Sequence, residues 1–161
     1  MSSCNQSLSL EKLRLLVVDD DPDTREILTT LFEVEGVEIV AVASADEAWE
    51  RLQHFQPNLL ISDIHMPGED GYSLLRRLRS QKLDPLSQIP AIALTGSVRD
   101  VDREYALAAG FQKHLSKPID LDELSAIVAS FAQQPDFNGR ITAPQSAEMQ
   151  KSAEMESKFY L

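Results

Sequence analysis

Short apolar runs alternate with longer stretches of helical periodicity from residue 13 to about residue 132. Residues 13–18 form the first run and end in Asp19-Asp20-Asp21. An apolar run of that length bounded by turn signals reads as a buried strand. Pro22 suits the first position of a helix, with Asp21 as its N-cap. Ile27, Leu28, Leu31, Phe32 and Val34 follow at helical spacing, and Gly36 ends that helix. Residues 37–43 are rich in β-branched side chains and predict a second strand. Ser44-Ala45-Asp46-Glu47 has the spacing of a capping box and opens a helix to about Phe55. Residues 59–62 form the third strand, with Asp63 at its carboxyl end and a Pro/Gly-rich turn beyond it. Residues 72–82 place Leu74, Leu75 and Leu78 on one helical face and Arg76, Arg77, Arg79 and Lys82 elsewhere. That basic set reads as a solvated face, too short and too flanked by acid for DNA binding. A loop over 83–88 precedes a strand over 89–94, which runs into Thr95-Gly96. A helix over 100–109 stops at Gly110, and a strand over 112–116 runs into Lys117-Pro118. Asp120-Leu121-Asp122-Glu123, a second capping-box pattern, opens the last helix, to about Ala132.

Five alternations of strand and helix predict an α/β domain with a doubly wound, five-stranded parallel sheet, right-handed crossovers and helices on both faces. Ligands of such sheets bind beyond the carboxyl ends of the strands. The order 2-1-3-4-5 brings the ends of the first, third, fourth and fifth strands around one crevice. The expected organisation is a flexible N-terminus over 1–10, the folded domain over 11–133, and a mobile tail or linker over 134–161. In the last segment the apolar periodicity fades and Pro135, Gly139 and Pro144 punctuate it. Ser146-Ala147-Glu148-Met149 recurs as Ser152-Ala153-Glu154-Met155, and a marginal helix over 145–158 is the most it predicts.

Composition narrows the setting. The chain has 161 residues, 43% of them hydrophobic, as expected for one globular domain with a real core. There is neither an apolar run of membrane-spanning length nor the basic and apolar opening of a secretory signal. Cys4 is the one cysteine, so no internal disulfide can form, and a cytoplasmic location is the natural expectation. A net charge of -11 repels nucleic acid and anionic membrane, so neither direct DNA binding nor membrane insertion is expected.

The strand ends carry the candidate chemistry: Asp19 and Asp20 after the first strand, Asp63 after the third, Thr95 after the fourth and Lys117 after the fifth. Three carboxylates in one crevice repel each other, and burial increases the cost. Mg²⁺ relieves it, since this hard cation takes carboxylate oxygens, several waters and typically a phosphate oxygen. Lys117 adds a positive charge that makes sense if a further anion arrives, and a phosphoryl group is the natural one. Asp63 is then the best-placed nucleophile, because carboxylates do form aspartyl phosphates.

Other readings of the same residues compete. Asp19, Asp21 and Asp23 alternate as in a calcium loop, but Thr24 stands where that loop needs Gly and Thr30 where it needs Glu. A small Mg²⁺-dependent aspartyl-phosphate phosphatase would use Asp19 as nucleophile and Asp21 as acid/base. It would resemble haloacid-dehalogenase-like enzymes, whose cap domain or insertions this chain has no room for. The plainest alternative makes Asp19, Asp20 and Asp63 unrelated caps. His54 is expected to be exposed, and Trp49 and Phe55 to serve packing.

Val17-Val18-Asp19-Asp20, Asp63 with Met66-Pro67 and Gly71, Thr95, and Lys117-Pro118 together resemble the receiver domain of two-component response regulators, with its flavodoxin-like strand order 2-1-3-4-5. The resemblance implies a signalling phosphoacceptor rather than an enzyme acting on other substrates. Asp63 would take a phosphoryl group from a phosphohistidine of a histidine kinase or phosphotransfer protein. Asp20, Asp63 and the backbone carbonyl of His65 would ligate Mg²⁺, and Asp19 would hold a metal-bound water. Thr95 and Lys117 would bind the phosphoryl oxygens. His114 falls at the switch position, where an aromatic ring is usual, so the switch is expected to be polar and pH-sensitive. The peptide between Lys117 and Pro118 is expected to be cis. His65 and Ser97 occupy positions that tune self-hydrolysis in the family, and Gly96 stands where Ala is commoner. A downstream protein, or a second copy of the chain, would read the surface formed by the fourth helix, fifth strand and fifth helix. The protein would be either a stand-alone receiver, which Met1 favours, or the terminal receiver of a hybrid histidine kinase.

Overall fold

The computed structural model describes residues 10, 12–81, 84–96 and 100–133, with the side chains of 100–102 left out. Cys4, Lys82, Ser97 and the segment 134–161 lie outside the described residues.

The five strands are β1 (Arg14–Val18), β2 (Glu38–Val42), β3 (Leu59–Asp63), β4 (Ala91–Thr95) and β5 (Lys113–Ser116). The helices between and after them are α1 (Pro22–Val34), α2 (Ala45–Phe55), α3 (Gly71–Arg79), α4 (Asp100–Ala109) and α5 (Leu121–Ala132). All pairings are parallel, in the order β2-β1-β3-β4-β5. The doubly wound α/β reading is therefore correct, strand order included.

Period-two alternation splits each strand between two cores. Leu16, Val18, Leu60, Ala91 and Ala93 pack with side chains of α2, α3 and α4. Leu15, Val17, Leu59, Ile61, Ile92 and Leu94 pack with side chains of α1 and α5. β3 and β4 are buried along their whole length, which is why they read as continuous apolar runs. No described helix is long and apolar enough to cross a membrane.

Side-chain caps set the helix starts. Asp21 accepts from the Asp23 amide at 3.1 Å and from the Thr24 hydroxyl at 2.9 Å. Ser44 accepts from the Glu47 amide at 3.2 Å, and Glu47 reaches back to the Ala43 amide at 3.1 Å. Asp120 accepts from the Asp122 and Glu123 amides at 3.0 and 3.1 Å. α3 begins one residue earlier than its pattern suggested, because Asp70 caps it by accepting from the Ser73 amide at 2.8 Å.

Several expectations need correction. α3 ends at Arg79 rather than running to residue 82, with Ser80 as its C-cap. The loop before β4 holds a 3₁₀ helix, Pro85–Gln88, capped by Asp84. β4 starts at Ala91, since Pro90 has no N–H to give the ladder; its carbonyl still accepts from Leu60 at 3.0 Å. Ile27 and Val34 share the helical spacing of Leu28 and Phe32, yet they are 50% and 83% exposed. Arg79 does not belong to a solvated basic face. It is half-buried and donates to the carbonyls of Ser87 (2.8 Å), Ile89 (2.6 Å) and Gly110 (2.9 Å).

Candidate functional site

The register aligns the carboxyl ends of the central strands: Val18 opposite Ser62, Asp63 opposite Leu94, and Thr95 opposite Ser116. Asp19, Asp63, Thr95 and Lys117 therefore stand side by side at one edge of the sheet. Two local features bring the chain in close. Gly71 donates to the Ile64 carbonyl at 2.9 Å, and a Cβ there would collide with the backbone carbonyl of Asp63. Only glycine allows the β3–α3 turn to fold back so tightly. After β5, the Lys117 amide donates to the Thr95 carbonyl at 2.6 Å and the Lys117–Pro118 peptide is cis, as expected.

Carboxylate oxygens of Asp19, Asp20 and Asp63 all lie within 4.8 Å of one another. Asp19 is fully buried, Asp63 is 4% exposed, and Asp20 is open to solvent. Asp19 Oδ1 accepts from the Asp21 amide at 2.9 Å. Asp19 Oδ2 lies 2.9 Å from Lys117 Nζ, an ion pair in which the carboxylate is fully buried. Lys117 Nζ also reaches Asp63 Oδ2 at 3.3 Å, and Asp63 Oδ1 accepts from the His65 amide at 3.3 Å.

The charges oppose one another. Burial and then the Asp19 carboxylate push the Asp63 pKa up, and Lys117 pulls it partly back. Burial alone would lower the Lys117 pKa, but the hydrogen bond and charge of Asp19 and Asp63 outweigh it and the ammonium is stabilised. Three crowded carboxylates, two of them buried, balanced by one ammonium suit a hard divalent cation such as Mg²⁺. Asp21 is a different case. The Thr24 hydroxyl and then the Asp23 amide lower its pKa, so it serves as an ionised cap.

Thr95 is fully buried, and the His65 side chain is exposed beside the site. His114 sits two positions back along β5, opposite Ala93, and its buried Nε2 has no hydrogen-bond partner among the described residues. Gly96 has open space where a Cβ would go, so its loop does not demand glycine there. As expected, His54 is exposed and Phe55 is buried; Trp49 packs against the core with Arg77 stacked 4.0 Å above its ring. Sequence spacing gave no sign of Arg25, whose Nη1 donates to the Asp19 carbonyl at 2.8 Å. Beside the site a groove of about 520 Å³ runs between α1 and the start of α5, lined by Thr24, Ile27, Lys117, Pro118, Ile119 and Leu121.

Residues 15–129 match the family described as the response regulator receiver domain. The chain is 42% identical over 123 residues to an uncharacterized 14.6 kDa protein of Leptolyngbya boryana, covering 76% of this chain and 92% of that one. It is also 42% identical to the response regulator Rre1 of Synechocystis, covering 73% of this chain but only 51% of that protein. The chain thus spans nearly the whole of the first relative and about half of the second. Among solved structures it is similar to a putative response regulator from Chloroflexus aurantiacus, with 31% identity, a TM-score of 0.70, and coverage of 76% of this chain and 98% of that one. It is similar as well to the receiver domain of a signal transduction histidine kinase from Syntrophus aciditrophicus, with 33% identity, a TM-score of 0.67, and coverage of 73% and 88%. With the family match spanning residues 15–129 and the strand order in agreement, the chain belongs to the response regulator receiver domain family.

Proposed function

We propose that the chain is a cytoplasmic phosphoacceptor of a two-component phosphorelay, taking a phosphoryl group onto Asp63 from the phosphohistidine of a histidine kinase or phosphotransfer protein. The observation that carries this reading is the meeting of Asp19, Asp20 and Asp63 within 4.8 Å, with Lys117 Nζ 2.9 and 3.3 Å from two of them. An Asp63 oxygen attacks phosphorus and forms the O–P bond. The N–P bond of the phosphoimidazole breaks, and its electron pair returns to the ring nitrogen. The ring departs neutral, its other nitrogen carrying the proton. Lys117, which faces carboxylates before the reaction, then pairs with a phosphoryl oxygen, and the Thr95 hydroxyl binds another. Such fixed partners act where charge develops during transfer.

The carboxylates of Asp20 and Asp63 and the backbone carbonyl of His65 would hold Mg²⁺, with Asp19 contributing through a bound water. Bound there, Mg²⁺ supplies the positive charge that lets carboxylates and phosphoryl oxygens approach one another. His114 follows Thr95 as the switch, and the α4–β5–α5 surface is the one a downstream protein or a second copy reads. Tyr105 and Leu107 on α4, 60% and 50% exposed, and Leu121 on α5, 36% exposed, support a protein partner on that side. The chain catalyses only its own phosphorylation and dephosphorylation.

Phosphatase chemistry through Asp19 fits poorly. Asp19 is fully buried with one oxygen held by the Asp21 amide, and Asp21 has a lowered pKa, the wrong direction for a general acid. Incubation with acetyl phosphate and Mg²⁺ tests the proposal: one hydroxylamine-labile phosphate is expected on the wild type and none on Asp63→Asn. Full labelling of Asp63→Asn would refute it.

A further inference from the structure

Arg25 sits in the first turns of α1, within six residues of Asp19, Asp20, Asp21 and Asp23. Among the described residues it forms no ion pair with any of them. Its guanidinium turns instead to a neutral acceptor, the Asp19 backbone carbonyl, at 2.8 Å. The other groups of Asp19 are already engaged. Its amide donates to Val42 at 3.0 Å, Oδ1 accepts from Asp21 at 2.9 Å, and Oδ2 faces Lys117 at 2.9 Å. The carbonyl that Arg25 takes belongs to the peptide linking Asp19 to Asp20. That hydrogen bond from Nη1, at 2.8 Å, favours one orientation of the peptide plane. The plane sets the direction in which the next residue, Asp20, leaves the chain. Asp20 itself has no hydrogen bond or ion pair to hold it among the described residues, yet its carboxylate stays within 4.8 Å of Asp19 and Asp63.

We propose that Arg25 is a positioning residue: through the Asp19 carbonyl it holds the Asp19–Asp20 peptide so that the Asp20 carboxylate stands ready for a divalent cation. This rests on the Mg²⁺ reading above. It also reverses the sign that charge alone predicts. A guanidinium close to a cation site repels the cation, so simple electrostatics has Mg²⁺ binding more tightly once Arg25 is removed. Positioning has it binding more weakly.

The test uses the full chain, unphosphorylated, with two readouts: calorimetric titration with Mg²⁺, and amide exchange of Asp21 in the metal-free protein. Arg25→Ala is expected to raise the Mg²⁺ dissociation constant about fivefold, ~1 kcal/mol, and to speed Asp21 exchange by a similar factor. Arg25→Lys, which keeps a donor, should recover most of both. If Arg25→Ala does not fold, Arg25→Met keeps the stem without the donor and carries the same expectation. Equal or tighter Mg²⁺ binding in the variant overturns the proposal, and so does unchanged Asp21 exchange. A wild type that binds no Mg²⁺ would overturn the metal reading instead, and the exchange readout would still decide for or against Arg25.

Discussion

At the scale of single residues, burial and the Asp19 carboxylate raise the pKa of Asp63 above its ordinary 3.8. A carboxyl whose pKa is raised by folding holds its proton more tightly in the folded state. Stability is therefore lost as pH climbs from the unfolded value through the raised folded value, and the cost is present in full above it. Asp63→Asn removes the charge that causes this. At neutral pH and without metal, the variant should be more stable by about 1 kcal/mol, or about 3 °C in melting temperature. The gain should shrink as pH is lowered. Thermal melts in chelator across pH check this, and a variant less stable than wild type would mean that the Lys117 contact dominates the site. His65 offers a second prediction, since its ring is exposed beside Asp63 while its amide holds Oδ1. His65→Ala should change the rate of dephosphorylation several-fold, about 1 kcal/mol in barrier, and leave Mg²⁺ affinity nearly unchanged. Unaltered decay of the phosphorylated protein would reduce His65 to its backbone. Asp19, Asp20, Asp63 and Thr95 were legible in the sequence because they follow apolar runs, whereas Lys117 follows the mostly polar Gln112-Lys113-His114-Leu115-Ser116 and was legible through Lys117-Pro118 as part of the family resemblance. Arg25 was not, because its partner is a backbone carbonyl, and a carbonyl leaves no mark on residue type.

The same blindness operates at the scale of elements. The sequence pattern predicted the five strands and five α-helices but not the 3₁₀ helix Pro85–Gln88, and capping side chains placed most α-helix starts. The basic residues of α3, however, looked alike. Arg76 and Arg77 are exposed, while Arg79 ties the 3₁₀ helix, the entry to β4 and the turn after α4 together through three carbonyls. Nothing in the spacing of the α3 arginines separates the tie from Arg76 and Arg77. Arg79→Ala would leave those carbonyls short of donors, at a cost of about 2 kcal/mol. Denaturant unfolding should show this as a lower midpoint with an unchanged slope, and phosphorylation should survive, because the tie lies at the opposite end of the strands from Asp63. A change within about 0.5 kcal/mol would mean that water replaces the guanidinium.

For the whole molecule, the arrangement places Asp63, the proposed phosphoacceptor, at the carboxyl edge of the sheet and exposed apolar side chains on α4 and α5. Phosphorylation is then expected to shift a pre-existing equilibrium rather than build a new fold. With Mg²⁺ and beryllofluoride, amide exchange should change first in α4, β5 and α5. A change confined to α2 would argue against this switch surface. Both expectations stand on the identity of the phosphorylated residue. Borohydride reduces an aspartyl phosphate to homoserine, and peptide mass spectrometry then reads the position directly. After reaction with acetyl phosphate and Mg²⁺, we predict homoserine at position 63 and nowhere else; homoserine at position 19, with Asp63 intact, would contradict the assignment of the phosphoacceptor.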